Sequence, residues 1–169
     1  METLQEVLVD ELKDIYNAEK QLLQALPKMA RKATSPALRE ALSSHLRETE
    51  NQVRRLESIA DSLGTTLDGK KCAAMQGLIA EGDAYIGMKG QGPVIDAALI
   101  GAAQRVEHYE MAAYGNARAL AEELGEPELA ELLQETLDEE RTADKTLTVI
   151  SQSEVFPASR GSAPHDASR

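Results

Sequence analysis

The chain has 169 residues, with 29 acidic against 18 basic side chains and a formal net charge of −11. That balance argues against nucleic acid or an anionic membrane as partner, because both attract basic patches. A single cysteine, Cys72, excludes an intrachain disulfide and a Cys-x-x-Cys metal site. No apolar run approaches the roughly 18 residues of a membrane span. Met1-Glu-Thr-Leu-Gln-Glu lacks the basic-then-apolar pattern of a secretory signal, so a cytoplasmic location is expected.

Ala, Leu, Glu and Gln dominate, and all four lose little side-chain entropy in a helix. The first helical pattern runs from about Leu4 to Ala33, with Pro27 inside it as an expected distortion. Thr34-Ser35-Pro36 reads as a stop and restart, with Ser35 as N-cap and Pro36 at the first helical position. The second helix continues to Leu63 and ends at Gly64. Residues 64–92 break the rhythm: a loop precedes a short helix over Cys72 to Ala84, and Gly87, Gly90 and Gly92 lead to Pro93. No strand precedes these glycines, which argues against a phosphate loop. The third helix runs from Pro93 to about Leu124, Gly125-Glu126-Pro127 forms another tight turn, and the fourth helix covers about Pro127 to Ser151. Residues 152–169 carry little apolar content and are expected to form a flexible C-terminal tail after a bundle over residues 1–151.

Two short connections make two antiparallel hairpins, and a crossover of about 29 residues can carry the third helix back along the bundle. Short–long–short is the ferritin-like arrangement, so the expected fold is an all-α, ferritin-like antiparallel four-helix bundle. Met75, Leu78, Ile79, Tyr85 and Ile86 concentrate apolar surface in the crossover, and a homodimer with its interface near residues 72–92 is expected.

The functional signal is where apolar stripes are interrupted. The first helix carries Leu8, Leu12, Ile15, Glu19, Leu22, Leu26 and Met29 at 3–4 spacing, with Glu19 at its centre. The third puts Glu107 and Glu110 between Ala103 and Tyr114, and the fourth puts Glu140 and Asp144 between Leu137 and Leu147. Residues three or four apart share a helix face, so each pair can converge. The second helix has the stripe Leu42, Leu46, Thr49, Val53, Leu56, Ala60 and Leu63, with His45, Glu48 and Gln52 along one flank that Ala41 and Ile59 extend. Glu50 falls on the opposite flank and reads as solvated; His45 and Glu48 are the chosen pair. All of these residues lie near mid-helix, where antiparallel packing can bring them to one level.

A lone mid-seam Glu19 is as often a salt-bridged position as a ligand, and a lone His45 is most often an ordinary core histidine. Arg141 and Lys145 could satisfy Glu140 and Asp144 at the surface. Burying the whole set, however, is prohibitive unless the acids stay protonated or surround cations. Oxygen-rich sites with one or two imidazoles suit divalent iron or manganese, zinc being a further option. Two such ions would offset about four negative charges. The expected metal ligands are therefore Glu19, His45, Glu48, Glu107, Glu110, Glu140 and Asp144. Tyr16 and Tyr114 lie one turn from a ligand and could donate to it, His108 points about 100° away from Glu107, and His165 lies in the tail. Cys72 is read as an inert, half-exposed thiol.

Four segments also carry a resemblance. Asp14-Ile-Tyr-Asn-Ala-Glu19-Lys-Gln-Leu, His45-Leu-Arg-Glu48-Thr-Glu50, Val106-Glu-His-Tyr-Glu110 and Leu137-Asp-Glu-Glu-Arg-Thr-Ala-Asp144-Lys resemble the YciF-like bacterial stress proteins over roughly residues 2–152. The resemblance implies a ferritin-like fold related to the rubrerythrins and a dimetal site. The usual ferritin-like pattern has Glu-x-x-His on the second and fourth helices. Here the second helix has the reversed His45-x-x-Glu48, with Asn51 where the standard histidine would fall, and the fourth has Ala143 three after Glu140. The expected site is thus richer in carboxylate than usual. With no rubredoxin-like Cys-x-x-Cys, electrons would come from elsewhere. The expected function is a di-iron protein acting as ferroxidase or peroxidase in stress defence. Its rivals are a non-catalytic association bundle and a metal buffer.

Overall fold

A computed structural model describes residues 1–90 and 92–160. The described residues form α1 (Leu4–Lys32), α2 (Pro36–Ser62), α3 (Ala73–Gly87), α4 (Pro93–Glu123), α5 (Pro127–Ile150), a π-helical turn (Ser151–Val155) and α6 (Phe156–Arg160), with no strand among them. None of these helices is long and apolar enough to cross a membrane.

Local chemistry sets the boundaries. Thr3 caps α1 in a capping box with Glu6, and Ser35 caps α2 ahead of Pro36. α1 runs unbroken through Pro27. α2 and α4 end alike. Gly64 and Gly125 adopt φ of +60° and +74°, and paired backbone bonds close each end: Gly64 to Asp61 with Thr65 to Ala60, and Gly125 to Glu122 with Glu126 to Ala121. This is a Schellman closure, and it turns the chain sharply enough for the next helix to run back.

α1 and α2 form one hairpin and α4 and α5 the other. α1 packs on α4, α2 on α5, and the crossover helix α3 lies against α1 and α4. The fold is the expected ferritin-like all-α bundle. Its apolar core falls into two clusters. One gathers Leu22, Leu26, Leu38, Leu42, Leu99 and Leu147; the other gathers Leu8, Leu12, Leu56, Tyr114, Leu133 and Leu137. On every bundle helix a buried polar stretch lies between residues of the two clusters.

Three features depart from the sequence reading. The core face of α2 is rotated toward its polar flank: His45, Thr49 and Gln52 are buried, while Leu46 and Val53 are only partly so. Polar partners on α4 and α5 make that rotation tolerable. The chain stays helical past Gln152, because the wider turn at Ser151–Val155 carries Val155 into the core and leads into α6. Residues 161–169, including His165, and Gln91 lie outside the described residues. Cys72 is buried rather than half-exposed. It caps α3, its Sγ accepts from the Met75 amide (3.4 Å), and it lies 3.0 Å from the Tyr109 hydroxyl.

Candidate metal centre

The polar layer is built from all four bundle helices. α1 contributes Glu19, α2 contributes His45 and Gln52, α4 contributes Glu107 and Glu110, and α5 contributes Glu140; all are buried. Ligating atoms of His45, Glu107, Glu110 and Glu140 lie within 4.8 Å of one another. His45 Nε2 is 3.4 Å from Glu107 Oε2 and 3.6 Å from Glu140 Oε2. Glu19 joins from the side: its Oε1 accepts from the Tyr114 hydroxyl at 2.5 Å, and it interacts electrostatically with Glu140 and His45.

The other two expected ligands lie differently. Glu48, with its side chain 40% exposed, places Oε2 3.3 Å from His45 Nδ1, behind the ring and away from the carboxylates. It orients the imidazole so that Nε2 faces the cluster, the arrangement that fixes tautomer and basicity in ligating histidines. Asp144 is outside the group of four. Its Oδ1 accepts from Gln104 at 3.0 Å and lies 3.4 Å from His108 Nε2, near the surface. Aspartate is a methylene shorter than glutamate and sits one turn beyond Glu140, so it ends on those neighbours. His108 is correspondingly an edge residue, 67% exposed in its side chain. Tyr16 does not serve the site either: its hydroxyl donates to Glu57. Arg141 pairs with Asp138, leaving Glu140 unneutralised by it.

Gln52 was noted in the sequence only as a neighbour of His45 and Glu48. Its amide donates to Glu140 Oε1 (2.5 Å) and to Glu139 Oε2 (2.9 Å). Arg55 in turn holds Glu139 through two guanidinium bonds of 3.1 Å, while also bonding Glu135 and Thr136. Glu140 is thus held from behind by an ordered chain of donors. The i, i+3, i+7, i+10 run His45, Glu48, Gln52, Arg55 was the available signal for it.

Electrostatics match the geometry. Burial, then Glu140, pushes the Glu19 carboxyl up to about 8 despite the bond from Tyr114. Glu107 and Glu110 are raised well above the carboxylate range, chiefly by burial. Burial pulls His45 down, but Glu107, Glu48, Glu140 and Glu19 outweigh it and push the imidazole up to about 10. The layer is thus a cluster of carboxyls that burial and mutual repulsion drive to hold protons, with His45 as the one potential cation inside it. Glu19 Oε2, His45 Nε2, Gln52 Oε1, Glu107 Oε2, both oxygens of Glu110 and Glu140 Oε2 are buried without a hydrogen-bond partner. Native interiors rarely leave buried polar atoms unpaired, and each costs about 1–3 kcal/mol. Seven in one layer therefore fit a metal's ligand shell.

Together, fold and site define a ferritin-like helical bundle with a buried histidine–glutamate cluster able to hold a metal ion. The chain belongs to the family described as Domain of unknown function (DUF892), whose model matches residues 3–157. It is 44% identical over 152 residues to Protein YciF of Escherichia coli K12, covering 89% of this chain and 92% of that protein. The crystal structure of the E. coli stress protein YciF superposes with a TM-score of 0.89 at 43% identity, covering 92% of this chain and 99% of that one. YcfI from Rhodopseudomonas palustris, provisionally described as a structural protein, superposes with a TM-score of 0.84 at 43% identity over 87% of this chain and 94% of its own.

Proposed function

We propose that this protein binds a pair of divalent first-row metal ions, iron foremost, and acts as a ferroxidase or peroxidase in stress defence. The observation that carries the reading is the layer of buried, unpartnered ligand atoms on His45, Glu19, Glu107, Glu110, Glu140 and Gln52. Four carboxylates in that layer balance two divalent ions, and the donor set of oxygens with one imidazole suits iron or manganese. Similarity to a relative described as a stress protein supports the physiological setting.

In this reading His45, Glu107, Glu110, Glu140 and Glu19 hold the metals, Glu48 aims His45, and Gln52 with Arg55 and Glu139 steadies Glu140. Tyr114 fixes one Glu19 oxygen and leaves the other for ligation. Bound iron supplies one-electron chemistry toward dioxygen or peroxide. The two apolar clusters above and below the layer exclude bulk water and strengthen every charge interaction within it.

Anaerobic iron(II) titration with elemental analysis, followed by exposure to dioxygen or peroxide, tests the proposal. About two metals per chain are expected, with oxidation of iron on exposure. Binding without oxidation would leave a metal buffer. No binding to a folded chain would leave a non-catalytic structural or association role, the R. palustris relative being described as a structural protein. Metal loading should raise the melting temperature. The double variant Glu107→Gln, Glu110→Gln should melt higher than the metal-free wild type and lose that gain.

A further inference from the structure

Resting on the metal reading, we propose that divalent cations reach the buried layer through the seam between α2 and α5, with Glu48 at its mouth and Ala143 setting its width. A cavity of about 110 Å³ opens there. Ser44 and Glu48 line it from α2, and Thr142, Ala143 and Thr146 from α5. Its inner end is formed by His45 and Glu107, the same two residues whose Nε2 and Oε2 atoms are buried and unpartnered. The space is room for a few water-sized molecules and falls short of the roughly 150 Å³ that has been found to admit an aromatic ring. It therefore suits a partly hydrated ion and excludes an organic substrate of ring size.

The chemistry of the mouth selects for cations. Thr142 and Thr146 spend their hydroxyl hydrogens on the carbonyls of Asp138 and Thr142, so their oxygens remain as acceptors. Glu48 and Thr142 also line an adjoining surface groove with Glu135, Asp138 and Glu139. Arg55 pairs with Glu135 and Glu139, and Arg141 with Asp138. Arg47, paired with Glu40, also acts on Glu48. Four carboxylates against three guanidinium groups still leave the groove negative, which concentrates cations beside the opening. Small side chains keep the seam open: Ala143 and Thr146 line the cavity and neither belongs to the polar layer, so a leucine at either position adds bulk to the route rather than replacing a ligand.

Stopped-flow binding of cobalt(II), followed by its visible absorption, separates the route from the site. Ala143→Leu is expected to slow cobalt uptake by tenfold or more while final absorption and cobalt content match the wild type. Thr146→Leu is the second plug, should Ala143→Leu compromise the fold, and is expected to slow uptake likewise. Ala112→Leu, exposed on α4 and away from the seam, is the control and should bind at the wild-type rate. Uptake as fast in the folded plugged variants as in the wild type would overturn the route and leave the metal reading intact. A wild type that takes up no cobalt would overturn both.

Discussion

Tyr114 is fully buried with its hydroxyl on Glu19, and its removal tests how far the polar layer depends on single contacts. Tyr114→Phe keeps the ring and deletes the donor, leaving Glu19 with neither oxygen partnered. Urea unfolding of the metal-free protein should show a loss of about 1–3 kcal/mol. The titrating residues set a pH dependence whose sign runs against the usual acid denaturation. Glu19 rises from 4.5 to about 8 and His45 from 6.5 to about 10, so the folded chain holds more protons than the unfolded one across those windows. Stability must then fall as pH rises through them. The melting temperature of the metal-free protein is expected to drop between about pH 5 and about pH 9, and to drop less once metal has replaced the protons. A melting temperature that climbs across the range would contradict the coupling. At this scale the burial of Glu19, Glu107, Glu110 and Glu140 was legible, because each interrupts a periodic apolar run, whereas His45 lay on the flank of its stripe and was singled out by the polar run it shares with Glu48. Asp144 satisfied the same pattern, but spacing along one helix says nothing of what the next helix offers it.

Between elements, the decisive contact came from a residue with no local signature. Asp96 is buried near the start of α4 and accepts from the Thr34 amide (2.8 Å), the Thr34 hydroxyl (2.6 Å) and the Ser35 amide (2.8 Å). Those donors belong to the α1–α2 turn, so Asp96 locks one hairpin to the beginning of the other. Asp96→Ala should strand three donors and cost about 3 kcal/mol in chemical denaturation. It should leave metal content unchanged, since the turn lies at the end of the bundle. Helix starts and stops needed no such long-range information. Ser35-Pro36, Gly64 and Gly125 act through their own backbone geometry and can be read wherever they occur. The π-helical turn after Ile150 was not readable in this way, because burying Val155 requires α4 to be alongside.

Across the whole molecule, the crossover's apolar residues are turned inward. Met75 is buried, and Leu78, Ile79, Tyr85 and Ile86 pack against the core, leaving Met88 as the exposed large apolar side chain of residues 72–92. The homodimer proposed from the sequence is therefore left with Met88 and the polar side of α3 as its surface. Light scattering over rising concentration checks it. A dimer that dissociates on Met88→Asp would support that interface, and a monomer throughout would remove it.

The four bundle helices, their hairpin pairing and the need for a polar layer followed from the sequence by itself, because helical periodicity, capping and connection length are local quantities that add along a chain. Which flank of α2 faces inward, that Glu48 stands behind His45, and that Gln52 and Arg55 support Glu140 were decided only by the tertiary structure. A side chain's place in the layer depends on where the facing helices put their donors and charges. A rotation of α2 by a fraction of a turn exchanges Leu46 and Val53 for His45 and Gln52 at little cost in local propensity. The balance is tipped by carboxylates some 60 to 90 residues further along the chain.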